Sequence, residues 1–494
     1  MSRLREPVFP VPPVFPRLAR IVRLLVLSAC VMTTLTPACV VRLSQRNEPE
    51  PNGAVTGDPA DCAVEKPLPG ANTEGEPAIK FVGRFAPVPE APDSVLFDWS
   101  GSAISLRFEG TSKVTVKLRL TGKVPQDQVF VFVVDNQPPA KRQITVKTDA
   151  QGKPTLEPLE EYPIVGLDSQ KPHELTIYKA TEAQKGTVIF KGVDLHEGRL
   201  LPPTRRPRRM EFIGDSITCG YGNEGKNATC PFEVKVRDAL DERGQPMLDP
   251  RGNPIVVTVP ATENQYLAFT ALAARQLEAD AVTVCWSGKG VYKNYRERYF
   301  PDPQTGKLLP EADTFSTVPE LWEKRTLGSD PEGNKWDFGK EKPEEVPQVV
   351  VVALGTNDFA RDTLPRSTDP NVVAGDNIPD GDMNDPRERD RFFQKYIDFV
   401  KKLREHRPNA HIFLTTSPML TDRFPLFEAR ANLRNLLQAV VADREREGDR
   451  KIYQMELVEQ GFRYGLGCDY HPNLRVHEIM AGQLVGAVRS KTCW

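Results

Sequence analysis

Ile213-Gly214-Asp215-Ser216-Ile217-Thr218 decides how the second half of this chain is read. The block closes Met210 to Ile213, a short apolar run with the character of a buried strand. A serine beside glycine at the C-terminal end of such a strand stands where open α/β sheets bind their ligands. Asp-Ser at a strand end is also a good helix N-cap, so a structural reading stands beside the catalytic one.

Working downstream, strands and helices alternate. Glu263 to Leu277 is predicted as a helix with Leu267, Ala271 and Ala274 on one face. Val282 to Cys285, Val349 to Leu354 and Ile412 to Leu414 read as strands. Phe392, Tyr396, Phe399, Val400 and Leu403 keep the 3.6-residue period of an amphipathic helix that stops before Pro408. This alternation predicts a parallel sheet covered by helices. Two long insertions, near 224–261 and 301–346, interrupt it and are expected to shape a cleft.

Two more strand ends carry polar clusters. Leu354-Gly355-Thr356-Asn357-Asp358 is explained by a polar turn, but its amide can also donate to an oxyanion. Cys468-Asp469-Tyr470-His471-Pro472-Asn473 holds the best general-base candidate among six histidines. A base needs an orienting group, and Asp469 can supply its carboxylate or its backbone carbonyl. The carboxylate is the expected partner, because two-residue spacing puts both side chains on one short loop.

Working upstream, Pro202 to Pro207 marks a boundary. Before it, Ile104, Leu106 and Phe108 alternate with polar residues, as do Val114, Val116, Leu118 and Leu120. Phe130 to Val134, Leu175 with Ile177, and Val188 with Phe190 add further strands, which predicts a β-sandwich at 78–201. Residues 39–77 read as a flexible tether and 1–38 as an export signal. Arg3, Arg5, Arg17, Arg20 and Arg23 precede an apolar run, Leu24 to Val31, that is too short to span a bilayer. Thr36-Pro37-Ala38-Cys39 then offers a cleavage point before Cys39, with lipidation of Cys39 or plain secretion as the two outcomes. The chain is therefore expected in a bacterial cell envelope as a lipoprotein, held at a membrane by its lipid, or secreted.

Sixty-five basic and 67 acidic side chains give a net charge of -2, with no basic stripe for a phosphate backbone, so nucleic acid is excluded as a partner. Export permits disulfides, and the six cysteines from Cys62 to Cys493 allow about 15 connectivities. No C-x-x-C pair or histidine cluster with zinc spacing occurs, so no metal site is expected.

Taken in order, Gly214-Asp215-Ser216, Ser287-Gly288, Gly355-Thr356-Asn357-Asp358 and Asp469-Tyr470-His471-Pro472 resemble the blocks of the SGNH/GDSL hydrolases. Three longer segments resemble carbohydrate esterase family 2, the acetyl xylan esterase type. They are Gly214 to Gly222, Ser287-Gly288-Lys289-Gly290-Val291-Tyr292 and Gly467 to Asn473. Trp99-Ser100-Gly101-Ser102 and His173-Glu174-Leu175 extend the likeness into the first domain. The resemblance implies a jelly-roll-like all-β sandwich followed by an α/β/α SGNH domain at 208–494. It implies Ser216 as nucleophile and His471 as base, with the N–H groups of Ser216 and Gly288 and the Asn357 amide as oxyanion hole. It implies no cofactor, and O-acetylated polysaccharide or oligosaccharide of the xylan or mannan type as substrate. Tyr292, Trp322 and Trp336 are candidates for stacking on sugar rings, with burial as the equal alternative. An SGNH lipase or thioesterase acting on other acyl esters, and a non-catalytic carbohydrate-binding surface protein, are the rival functions.

Overall fold

A computed structural model describes the chain from residue 78 to 494, apart from 122–125, 145–159, 239–244, 249–251, 302–307, 331–332, 360–382, 424–427 and isolated positions. The expected signal, tether and Cys39, together with Cys62 and Cys493, lie outside the described residues.

Two antiparallel sheets form the first part. One runs Ile79–Val82, Ala103–Glu109, His173–Lys179, Gln128–Val134, Ala140–Ile144, with Arg199–Leu201 also paired to Ala103–Glu109. The other runs Ala86–Val88, Ala91–Phe97, Thr187–Asp194, Lys113–Thr121, Glu160–Val165. The period-two pattern dictates the sandwich. Ile104, Leu106 and Phe108 point inward from one sheet to meet Val114, Val116, Leu118, Val188 and Phe190 from the other, all fully or almost fully buried.

From Arg208 onward the chain builds a parallel five-stranded sheet. Its order is Ala279–Cys285, Arg208–Gly214, Val349–Ala353, His411–Thr415, Ile452–Met455. Both faces are covered, so the strands are apolar throughout rather than alternating. Met210, Phe212, Val349 and Val351 face the helices Phe269–Gln276 and Leu474–Thr492. Ile213, Val350, Val352 and Ile412 face Pro386–His406 and Ala429–Arg446. Each such buried aliphatic side chain stabilises the fold by about 1.5–3 kcal/mol.

The amphipathic helix at Pro386–His406 is set by its ends as well as its stripe. Asp385 Oδ1 accepts the Arg387 N–H at 2.8 Å, and Pro386 occupies a first-turn position where its missing donor costs nothing. The helix expected from Glu263 begins only at Phe269, because Ala268 is extended (φ −69°, ψ 152°) and the preceding residues run against the sandwich. There the Gln265 N–H donates to the Ala180 carbonyl at 3.1 Å. The first insertion contains a hairpin, Glu233–Asp238 with Val256–Pro260, and another, Glu297–Pro301 with Leu308–Ala312, straddles the start of the second; the sequence reading leaves both unassigned.

Polar contacts lock the two parts together. Asp98 accepts the N–H groups of Gly328 at 3.0 Å and Ser329 at 2.8 Å. The Trp99 indole, fully buried, donates to the Thr326 carbonyl at 2.9 Å.

Candidate active site

Strand Arg208–Gly214 hands the chain to one helical turn, Ser216–Cys219. Asp215 caps that turn, its Oδ1 accepting the Ile217 N–H at 3.0 Å. Burial pushes the Asp215 carboxyl up to about 7 against the pull of that bond. Only glycine fits at 214, since a Cβ there would stand 2.0 Å from Thr218 Oγ1. The turn thus presents Ser216, 5% exposed, at the C-terminal edge of the sheet.

His471 arrives from the last loop before the C-terminal helix. Its Nε2 lies 2.8 Å from Ser216 Oγ, and its Nδ1 lies 2.8 Å from the backbone carbonyl oxygen of Asp469. Since the carbonyl only accepts, Nδ1 carries the proton and Nε2 is left to accept from the serine. Asp469 and Tyr470 both sit in the left-handed region, at φ 50° and 58°, which is uncommon outside glycine and easiest for Asp and Asn. That bend turns the carbonyl onto the ring. It corrects the expected carboxylate pairing: the single Nδ1–H is already taken, and Asp469 Oδ2 instead accepts from the Tyr221 hydroxyl at 3.4 Å. Burial lowers the His471 pKa, and the Asp469 carbonyl opposes this only in part, so the ring is neutral at neutral pH.

Gly288 follows the neighbouring strand, at φ 77°. A Cβ built there would meet only Tyr295 Cβ at 4.0 Å, so the strained backbone rather than crowding demands glycine. Asn357 stands in the turn Thr356–Phe359 after a third strand. Its Nδ2 donates to the Lys289 carbonyl at 2.8 Å, which fixes the amide and leaves its second N–H for another acceptor. Asp358 accepts the N–H groups of Val291, Tyr292 and Lys293 at 3.1, 2.8 and 3.0 Å, pinning the glycine block. Burial raises its pKa although those three bonds pull the other way. Ser216, Gly288 and Asn357 thus follow three adjacent strands, around the switch point of a 2-1-3-4-5 sheet.

Two disulfides brace these loops. Cys219–Cys285 joins the turn after Ser216 to the strand before Gly288, and Cys230–Cys468 joins the first insertion to the His471 loop. Sequence left their pairing open.

The three aromatic candidates are not brought to Ser216. Trp322 is fully buried, its indole donating to Glu211 at 2.8 Å. The Tyr292 hydroxyl donates to Glu388 at 2.9 Å within the core. Trp336 donates to Glu341 and packs under Arg84, beside Arg209 at the opposite, N-terminal edge of the sheet. Among the described residues, Tyr470, next to His471, and Phe315, whose carbonyl accepts from Lys289 and Asn294, are exposed aromatics. Sequence reasoning also passed over Tyr221. Its ring stands 4.4 Å from the His471 ring and stacks on Phe232 at 3.5 Å. Its place between Gly220 and Gly222 was the only signal.

Comparison with known proteins supplies the family. Residues 81–204 match the model described as carbohydrate esterase 2 N-terminal, and 317–479 match the GDSL-like lipase/acylhydrolase family. The chain carries a carbohydrate esterase 2 N-terminal domain and a GDSL-like domain. Among similar proteins, the chain is 30% identical over 424 residues to Cellulase/esterase CelE of Acetivibrio thermocellus, covering 85% of itself but 40% of that protein's length. It is 26% identical over 404 residues to an acetylxylan esterase / glucomannan deacetylase of Cellvibrio japonicus, covering 81% of itself and 87% of that protein. A solved active-site mutant of a family two carbohydrate esterase from Clostridium thermocellum is 29% identical with a TM-score of 0.60, covering 85% of this chain and 100% of that one. These relatives are carboxylic ester hydrolases, and the expected order of sandwich then SGNH domain is borne out.

Proposed function

We propose that this chain is an exported serine esterase that removes O-acetyl groups from polysaccharide of the xylan or mannan type. The observation that carries the reading is Ser216 Oγ at 2.8 Å from the unprotonated Nε2 of His471. His471 takes the serine proton as Oγ attacks the acetyl carbonyl. The oxyanion accepts hydrogen bonds from the N–H groups of Ser216 and Gly288 and from the Asn357 amide, each worth about 3 kcal/mol of barrier. The intermediate collapses to acetyl-serine while the His471 proton passes to the departing sugar oxygen. Water activated by His471 then releases acetate and restores the serine.

The substrate class is supported by relatives named for acetylxylan and glucomannan and by family two esterase structures solved with cellohexaose. Tyr470 and Phe315 offer exposed ring faces for a sugar chain. Export is supported by the basic and apolar N-terminal sequence and by the two disulfides, which persist in oxidising compartments. In this reading Cys39 carries the lipid, and Cys39→Ser moves the protein from the membrane to the soluble exported fraction.

Acetate release from acetylated xylan and glucomannan, with propionyl to octanoyl esters as chain-length controls, tests the activity. Wild type should prefer acetyl and Ser216→Ala should release none. Preference for long acyl chains would assign a lipase or thioesterase instead.

A further inference from the structure

Besides Asp98, the sandwich reaches into the catalytic domain with a second buried acidic side chain that the mechanism above does not use. Glu182 follows the strand His173–Lys179 and is 1% exposed. Its carboxylate accepts the Ser287 backbone N–H at 2.7 Å and also the Ser287 hydroxyl. Ser287 immediately precedes Gly288, and the N–H of Trp286, on its other side, is bonded to the Gly214 carbonyl at 3.2 Å. The loop that places Gly288 is therefore held between the strand leading to Ser216 and a residue of the other domain.

We infer that Glu182 is a positioning residue for the oxyanion hole, so that the sandwich completes the active site. The inference rests on the esterase reading above.

The surroundings fit a carboxylate kept for this task. Buried Lys179 is tied to the carbonyls of Thr181 and Glu182 at 2.7 and 3.1 Å, which fixes the backbone from which Glu182 projects. Glu263, fully buried, lies against Glu182. Burial and the nearness of Glu182 raise the Glu263 pKa well above its ordinary value. Burial raises the Glu182 pKa as well, opposed by its two bonds from Ser287, with Lys179 and Lys185 as nearby positive charges.

Glu182→Ala leaves the Ser287 N–H without its acceptor, and the hole loses alignment rather than a donor. In the full chain, kcat on an acetyl ester should fall about 10- to 100-fold with KM within about threefold, less than deleting a donor outright. Glu182→Gln keeps an acceptor oxygen and should restore most of that loss. Ser287→Ala removes only the hydroxyl arm and should cost about threefold. It carries the test with Glu182→Gln if Glu182→Ala does not fold. Glu109→Gln, at the sandwich surface, is the unchanged reference. A fluorophosphonate supplies a second readout, because its capture by Ser216, followed by mass spectrometry, needs the hole but no particular glycan. If wild type is labelled yet deacetylates no polysaccharide, the substrate reading fails while Glu182 is still tested by labelling rate. Wild-type kcat and labelling in Glu182→Ala would overturn the inference, as would equal losses in kcat and affinity that Glu182→Gln does not repair. If Glu182→Ala does not fold, wild-type kcat and labelling in Ser287→Ala would do the same.

Discussion

Strand Arg208–Gly214 runs between two buried polar clusters that behave in opposite ways. At mid-strand, Glu211 accepts from Arg407 Nε and from the Trp322 indole, both at 2.8 Å, and lies 3.9 Å from Arg84 of the sandwich. Arg407 in turn donates to Glu341 at 2.9 Å, and Arg84 to the Arg325 carbonyl at 2.7 Å. Burial pushes the Glu211 carboxyl up, yet the two arginines hold it below its ordinary range, while burial brings Arg84 down to about 10. At the far end, Ser216, Gly288 and Asn357 follow three adjacent strands, and His471, its pKa lowered by burial, places Nε2 2.8 Å from Ser216 Oγ. A buried cluster whose charges are matched within the protein fixes structure. One whose donors are left for a substrate atom, as proposed for the second, does chemistry.

The two clusters should therefore fail differently. Ser216→Ala and His471→Ala should each lower kcat by about 10⁴ to 10⁶, with the double variant little worse, because the pair acts as a unit. Thermal melts should barely move. Arg407→Ala should do the reverse. It strands Glu211 and Glu341 and should destabilise the fold by about 3–5 kcal/mol in denaturant titration, while kcat per folded molecule stays within about twofold. A large kcat loss in folded Arg407→Ala would dissolve the distinction.

The pH profile sharpens it further. Burial keeps the His471 pKa below the ordinary 6.5, so the base remains free at pH 6.5 and kcat/KM falls about tenfold per pH unit only below its pKa. An acid limb centred above pH 6.5 would mean that the ring is more solvated than its position implies. The smallest effect belongs to Asp469→Asn. Asparagine keeps the carbonyl and tolerates the left-handed conformation, so kcat should fall less than about tenfold. A loss near the 10⁴-fold seen when a true triad carboxylate is removed would restore the carboxylate to the mechanism.

What sequence could and could not show follows from the range of each interaction. Met210 to Ile213 and Val349 to Leu354 were legible because a strand covered on both faces must be apolar along its length. Ser216 and His471 were legible because their blocks keep order and composition. Glu182 was not: it meets Ser287 from the other domain, and nothing local marks it. Trp322 and Trp336 misled because an indole needs a partner when buried, and Glu211 and Glu341 supply it far from the site. The start of the helix after Glu263 was misplaced for a related reason. Its first residues are apolar and polar in a helical rhythm, but they form a short 3-10 turn, Gln265–Leu267, tied to the Ala180 carbonyl of the sandwich.

The orienting group for His471 belongs to the main chain, and every amino acid brings one. No single codon change can delete it. Such a site can change the identity of residue 469 among residues that tolerate the left-handed region, such as Asn, while the shape of two consecutive left-handed residues stays fixed. Inheritance there acts on conformation, through Cys468 and its bond to Cys230 on one side and Pro472 on the other.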